Sequence, residues 1–238
     1  MQLQWPVLAL FVAWMVVDHR VVWPSFLRRH AVDPARARRT LWAQWIASLW
    51  ALSALALGAW IADGRPLAGL GLALPAGWRL WGPALPIVAI VALQLNAAAR
   101  IARMTRDKTR LREQIGSTGL VMPRDDAEMP AWLAASVTAG FCEELLFRGF
   151  LVAVLQPLTG PWIAAGAAVL AFASAHAYQG RDGLVRTAVL GAAFMALFLV
   201  TRSLWPGIVL HAALDLVGGW IGMLILREPA STQAQGSR

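Results

Sequence analysis

Six residues of this 238-residue chain have types and spacings that could do chemistry: Glu143, Glu144, Arg148, His176, His211 and Asp215. Each sits in an apolar run. An ionised side chain at bilayer depth costs roughly 2.5 to 3.5 kcal/mol even on lenient insertion scales, so such groups normally face a polar cavity and serve a function. On an α-helix Glu144 and Arg148 share one stripe, four residues apart, and are expected to form an ion pair. Glu143 points about 100° away and is left as the free carboxylate. Phe172 and His176 are four apart, as are His211 and Asp215, so each pair presents one helical face. A carboxylate with two imidazoles can activate water and hold a developing oxyanion, the apparatus of acyl-transfer hydrolysis. Glu143, His176 and His211 would equally make a zinc site, and each group could instead only satisfy a buried partner.

Other catalytic arrangements are absent. His176 is followed by Ala-Tyr-Gln-Gly and His211 by Ala-Ala-Leu-Asp, so there is no His-Glu-x-x-His zinc motif. There is no Gly-x-Ser-x-Gly elbow, and Ser174 lies two residues from His176, where helical geometry turns them apart. The single cysteine, Cys142, forbids an intramolecular disulfide and reads as a small packed hydrophobe rather than the partner of a Cys142–His176 dyad.

These residues need elements to position them, and the composition says which kind. The chain is 58% hydrophobic and 14% charged, with 13 Trp, against roughly 45 to 50% apolar and 25% charged in an ordinary soluble domain. It reads as an all-α, polytopic integral membrane protein. The net charge of +8 sits in short blocks between apolar runs, which is a topology signal and not a nucleic-acid footprint. The first run, Trp5 to Val17, has no basic stretch before it and no cleavage signature after it, so it is expected to be a retained, short, tilted or interfacial first helix. Further spans are expected over 41–62, 85–99, about 131–158, 162–178, 187–200 and 206–226, seven in all, with the chemistry on helices four, five and seven. The polar segment between Arg100 and Met129 reads as a solvated amphipathic helix lying on lipid headgroups. Three regions result: N-terminal helices with basic loops over 1–129, a core over 130–226, and a disordered tail over 227–238.

Counting Lys and Arg along that topology gives 6, 7, 2 and 2 in the four segments of one side and 2, 0 and 1 in the three of the other. The basic side should be cytoplasmic, which sets the N-terminus outside and the C-terminus inside.

The motifs Glu-Glu-x-x-x-Arg at Glu143 to Arg148, Phe-x-x-x-His at Phe172 to His176 and His-x-x-x-Asp at His211 to Asp215 occur in this order in successive apolar helices. With the Ser-Leu-Trp-Pro-Gly lead-in at Ser203 to Gly207, they resemble the CPBP family, which comprises the CAAX prenyl endopeptidases of the Rce1 type and the bacteriocin-processing and Abi proteins of bacteria. The likeness covers about Pro130 to Leu226. It implies an intramembrane endopeptidase acting on a membrane-associated protein or peptide, at a C-terminal tail, leader or sorting signal. By the same likeness Glu143 is the general base that activates water, assisted by His176, while His211 and Asp215 bind the oxyanion and Glu144 and Arg148 hold the helix in place. The CAAX enzymes carry Asn where this chain has Asp215, and an ionised Asp cannot donate to an oxyanion; Asp215 must be protonated there or must orient His211. The family has been described both as metal-dependent and as glutamic, so no cofactor is expected beyond a possible zinc. The Trp- and Arg-rich, compact chain points to a bacterial inner membrane. The alternative is a catalytically idle scaffold or immunity protein of the same fold.

One geometric tension accompanies this reading. If helix five starts near Trp162 and helix seven near Trp205, His176 lies about 21 Å along its helix and His211 only about 9 Å along its own, at 1.5 Å per residue. The expected resolution is a loop at 178–182 that dips into the protein, where it lines a cavity.

Overall fold

A computed structural model of the protein describes residues 2–104 and 108–227. The expected disordered tail, beyond Arg227, lies outside the described residues. Ten α-helices carry the described chain, with no strand among these residues. They are α1 (Gln4–Val17), α2 (Trp23–His30), α3 (Pro34–Ala62), α4 (Trp78–Ala102), α5 (Thr109–Ile115), α6 (Met129–Glu143), α7 (Val152–Thr159), α8 (Pro161–Ala175), α9 (Gly180–Thr201) and α10 (Trp205–Leu226). Prolines open several of them: Pro34, Pro130, Pro161 and Pro206 all stand in the first turn, where a missing N–H leaves nothing unpaired. The all-α polytopic architecture expected from composition is the one observed.

Five helical runs among the described residues are long and apolar enough to cross a membrane: Gln4–His30, Pro34–Ala62, Trp78–Ala102, Ala177–Thr201 and Trp205–Leu226. Two further apolar segments, Met129–Thr159 and Pro161–Ala175, occupy the remaining places of the expected seven without meeting that measure. The first is interrupted by Glu143, Glu144 and Arg148; the second has only 15 residues, about 22 Å of helix.

The first run corrects the sequence reading. Instead of ending at Val17 it passes through a π-helical turn, Asp18–Val22, into α2 and stays helical to His30. Arg20, Arg28 and Arg29 therefore belong to this helical run and not to a loop, and Asp18 falls within a candidate span. Pro24 comes just after the π turn, where the hydrogen-bond register has already shifted, so its lost N–H is tolerated.

The polar segment is corrected as well. Among its described residues between α4 and α6 only seven form an α-helix, α5, and Gly116, at φ 55°, ends it before a 3-10 turn over Gly116–Leu120. Lys108 Nζ donates to the Leu224 carbonyl at 2.7 Å and Arg112 Nε to that of Ile225 at 3.1 Å. These cations cap the C-terminal end of α10, where free carbonyls and the helix dipole favour positive charge. Glu128 is buried and takes two hydrogen bonds from Arg38 Nε and one from Nη2, tying the start of α3 to the start of α6.

The N-terminal helices and the later ones share one apolar core. Val7 and Phe11 of α1 and Leu49, Leu52 and Ala56 of α3 pack with Leu145, Phe147 and Phe150. Cys142 is fully buried among them. The lead-in to α10 is stitched to the N-terminal third by backbone: Leu204 N donates to Gly71 O at 2.8 Å, Ser203 Oγ to Ala73 O at 2.9 Å and Trp205 Nε1 to Leu72 O at 3.0 Å.

Candidate active site

The acidic motif lies at a change of helical form. After Glu143 ends α6, residues Glu144–Leu151 continue as a π-helix before α7 resumes the ordinary pitch, and all eight are buried. π-helical turns are rare and occur most often at functional sites. Gly149 lets this segment approach the turn Leu67–Leu70, since a Cβ there would stand 2.8 Å from the Leu70 carbonyl oxygen.

Glu144 is the hub. Its Oε1 lies 3.1 Å from Arg148 Nη1 and accepts from His211 Nδ1 at 2.9 Å. Gly207 makes room for it, because a Cβ at that position would come within 3.0 Å of Glu144 Oε2. The guanidinium of Arg148 lies over the Phe172 ring at 4.0 Å from its centroid, and Phe194 flanks it at 5.4 Å. Glu144 and Arg148 thus fix α10 and α8 against the π segment.

Glu143, expected to point away from that pair, does so. Its Oε2 is cut off from solvent, has no hydrogen-bond partner among the described residues, and lies 3.8 Å from His211 Nε2 and 4.0 Å from His176 Nε2. The histidine tautomers follow from what each Nδ1 meets. Phe172 O can only accept, so His176 Nδ1–H donates to it at 2.8 Å and Nε2 is left facing Glu143. His211 Nδ1 is engaged by the Glu144 carboxylate, which turns Nε2 toward Glu143 and toward Asp215 Oδ2 at 3.6 Å. Glu143 Oε2 is too far from either imidazole nitrogen for a direct hydrogen bond. A water molecule 2.8 Å from two atoms 4.0 Å apart would subtend an angle of about 90° between them, so a hydrogen-bonding guest fits where direct contacts do not.

The structure brings together all six residues singled out in the sequence, and the depth mismatch is resolved by the turn after α8. α8 stops at Ala175, His176 caps it, and a short 3-10 turn, Ala177–Gln179, leads directly into α9 at Gly180, so the loop expected over 178–182 is helical instead. Tyr178 packs on Trp23 and Trp45, and its carbonyl accepts from Ser117 Oγ at 3.0 Å. The short α8 delivers His176 to the level of His211.

Two cavities flank the cluster. One, of about 200 Å³, is walled by Trp14, Asp18, Trp45, Trp132 and Tyr178 and reaches Glu143, His176 and Asp215. The other, of about 460 Å³, lies on the α4, α5, α9 and α10 side and includes Arg186, His211, His176 and Asp215. Asp18, Trp45 and Tyr178 are cavity residues that the sequence reading passed over. The signal was the first apolar run itself, too short for a span of about 20 residues unless it continued past Asp18.

The zinc alternative is a poor fit to this geometry. Zinc–ligand bonds of about 2.0 to 2.2 Å in a tetrahedron set neighbouring ligand atoms about 3.3 to 3.6 Å apart, whereas Glu143 Oε2 stands 3.8 and 4.0 Å from the two imidazoles. Among the described residues no group of three His, Cys, Asp or Glu is arranged to hold a metal ion.

Buried carboxylates and imidazoles converging between apolar helices define a polytopic membrane protein with a polar site set inside it. Residues 125–217 match the family model described as type II CAAX prenyl endopeptidase, Rce1-like, the family whose motifs the chain resembles. The match implies a protease, and with it a membrane-associated protein or peptide as substrate and a lipid environment. No curated protein and no solved structure matches the chain.

Proposed function

We propose that the protein is an intramembrane endopeptidase that hydrolyses a peptide bond of a membrane-associated protein or peptide with water activated by Glu143. The observation that carries the reading is the unpartnered, solvent-shielded Glu143 Oε2 facing the Nε2 atoms of both His176 and His211. A water held there would lose its proton to Glu143 as it attacks the scissile carbonyl, with His176 Nε2 accepting a second hydrogen bond from it. The tetrahedral oxyanion would lie toward His211, which in its imidazolium form offers Nε2–H as donor, and its collapse would break the C–N bond as Glu143 returns the proton to the leaving nitrogen. Asp215 Oδ2, 3.6 Å from that nitrogen, is placed to orient and stabilise His211, and it serves as an oxyanion donor only when protonated. Glu144 and Arg148 position this machinery without touching the reacting atoms. The bacterial inner membrane, with the basic segments on the cytoplasmic side, is the setting the charge distribution supports.

The test compares wild type with Glu143→Ala and Glu144→Ala on a library of lipidated and plain C-terminal peptides, with and without chelator. Cleavage by wild type that is lost in Glu143→Ala and indifferent to chelator is the expected result. Loss on chelation would replace the glutamate mechanism by a zinc one. No cleavage by wild type, together with a partner retained equally by Glu143→Ala in a pull-down, would overturn the enzyme in favour of a scaffold of the same fold.

A further inference from the structure

The smaller cavity has an unusual charge balance. Its wall includes three carboxylates, Asp18, Glu143 and Asp215, and among the described residues lining it there is no lysine or arginine. Glu143 and Asp215 belong to the reacting cluster. Asp18 does not: it comes from the π turn of the first helical run, outside residues 125–217.

Asp18 ends the apolar stretch of the first run but still lies within a candidate membrane span, where an acid is expensive unless something uses it. Trp45 Nε1 donates to Asp18 Oδ1 at 3.0 Å, which holds the carboxylate in place, and no described residue donates to its second oxygen. Trp14, Trp45, Trp132 and Tyr178 supply aromatic walls. A wall that offers Asp18 beyond the His211-paired carboxylates, and no lysine or arginine, disfavours an anionic guest and suits a cationic one. Aromatic faces suit a long methylene stem ending in a positive head.

We infer that Asp18 is a specificity-determining residue, and that the cavity between the first helical run, α3 and α6 receives a lysine or arginine side chain of the substrate next to the scissile bond. This rests on the peptidase reading for its position in the reaction, though not for the binding preference itself.

The experiment uses the full-length protein in nanodiscs and lipid-anchored fluorescent peptides in which a single lysine is scanned along an alanine–serine frame. Each lysine peptide is paired with the same peptide carrying norleucine, which keeps the stem and removes the charge. Both cleavage and, with Glu143→Gln, binding are measured for wild type, Asp18→Asn and Asp18→Glu. Asn keeps an acceptor for Trp45, so a purely structural role for Asp18 would leave the lysine-to-norleucine ratio unmoved. At one lysine position wild type is expected to favour lysine over norleucine by about tenfold or more. Asp18→Asn should collapse that ratio to about one, with the change in KM rather than kcat, and Asp18→Glu should restore much of it. Equal handling of lysine and norleucine by wild type at every position, in cleavage and binding alike, would overturn the inference. So would a preference that survives in Asp18→Asn. If no peptide is cleaved while Asp18-dependent lysine preference persists in binding, the cation site stands and the peptidase reading falls.

Discussion

At the scale of single residues the site depends on Glu144 more than on any other side chain. Its carboxylate holds the Arg148 guanidinium and the His211 ring at once, and it is fully buried. Glu144→Gln keeps the size and loses the charge, which strands Arg148 in the interior. Removing one partner of a buried ion pair typically costs about 3 to 5 kcal/mol, so the variant should lose a large part of its thermal stability in detergent. Activity should fall with it, since a neutral amide no longer favours the imidazolium form of His211. A variant that unfolds at the wild-type temperature and cleaves at the wild-type rate would contradict this account. The six site residues were legible in the sequence because charge is conspicuous in an apolar run, and because a four-residue spacing survives a change of helical pitch well enough for Arg148 to reach Glu144. Asp18 escaped notice for the opposite reason: it stands at the edge of a short hydrophobic stretch, where an acid looks like the beginning of a loop.

At the scale of elements, the Arg38–Glu128 pair decides whether α3 and α6 start in register. Both side chains are buried and their contacts are at 2.8, 3.0 and 3.2 Å. Arg38→Met and Glu128→Leu should each destabilise by about 3 to 5 kcal/mol, whereas the double variant should recover much of the loss, because a buried pair is replaceable by well-packed apolar residues. Thermal unfolding of the three variants measures the coupling, and simple additivity would rule out the pair as a unit. This pair, the capping of α10 by Lys108 and Arg112, and the π turns at Asp18 and Glu144 are the parts of the fold that periodicity could not disclose. Each depends on a partner far away in the chain or on a hydrogen-bond register that leaves the hydropathy pattern unchanged. The all-α, polytopic class was legible, by contrast, because glycine, proline and charge blocks punctuate the apolar runs.

At the scale of the whole molecule, the arrangement in the bilayer is open to direct measurement. Cys142 is fully buried, so the wild-type protein offers no thiol to a labelling reagent while folded. Single introduced cysteines can therefore report sidedness. In sealed inverted and right-side-out vesicles, Arg65→Cys should react with a membrane-impermeant maleimide from the side opposite to Arg39→Cys and Arg181→Cys. Labelling of all three from the same face would discard the charge-based topology.

The two chambers meet at His176 and Asp215, one under the first helical run and the other beside α9 and α10. On the peptidase reading, a bond broken at that junction would leave one fragment in each room. The two fragments would then start their departure from different walls of the site, and an excess of one fragment should compete with substrate without occupying the room of the other.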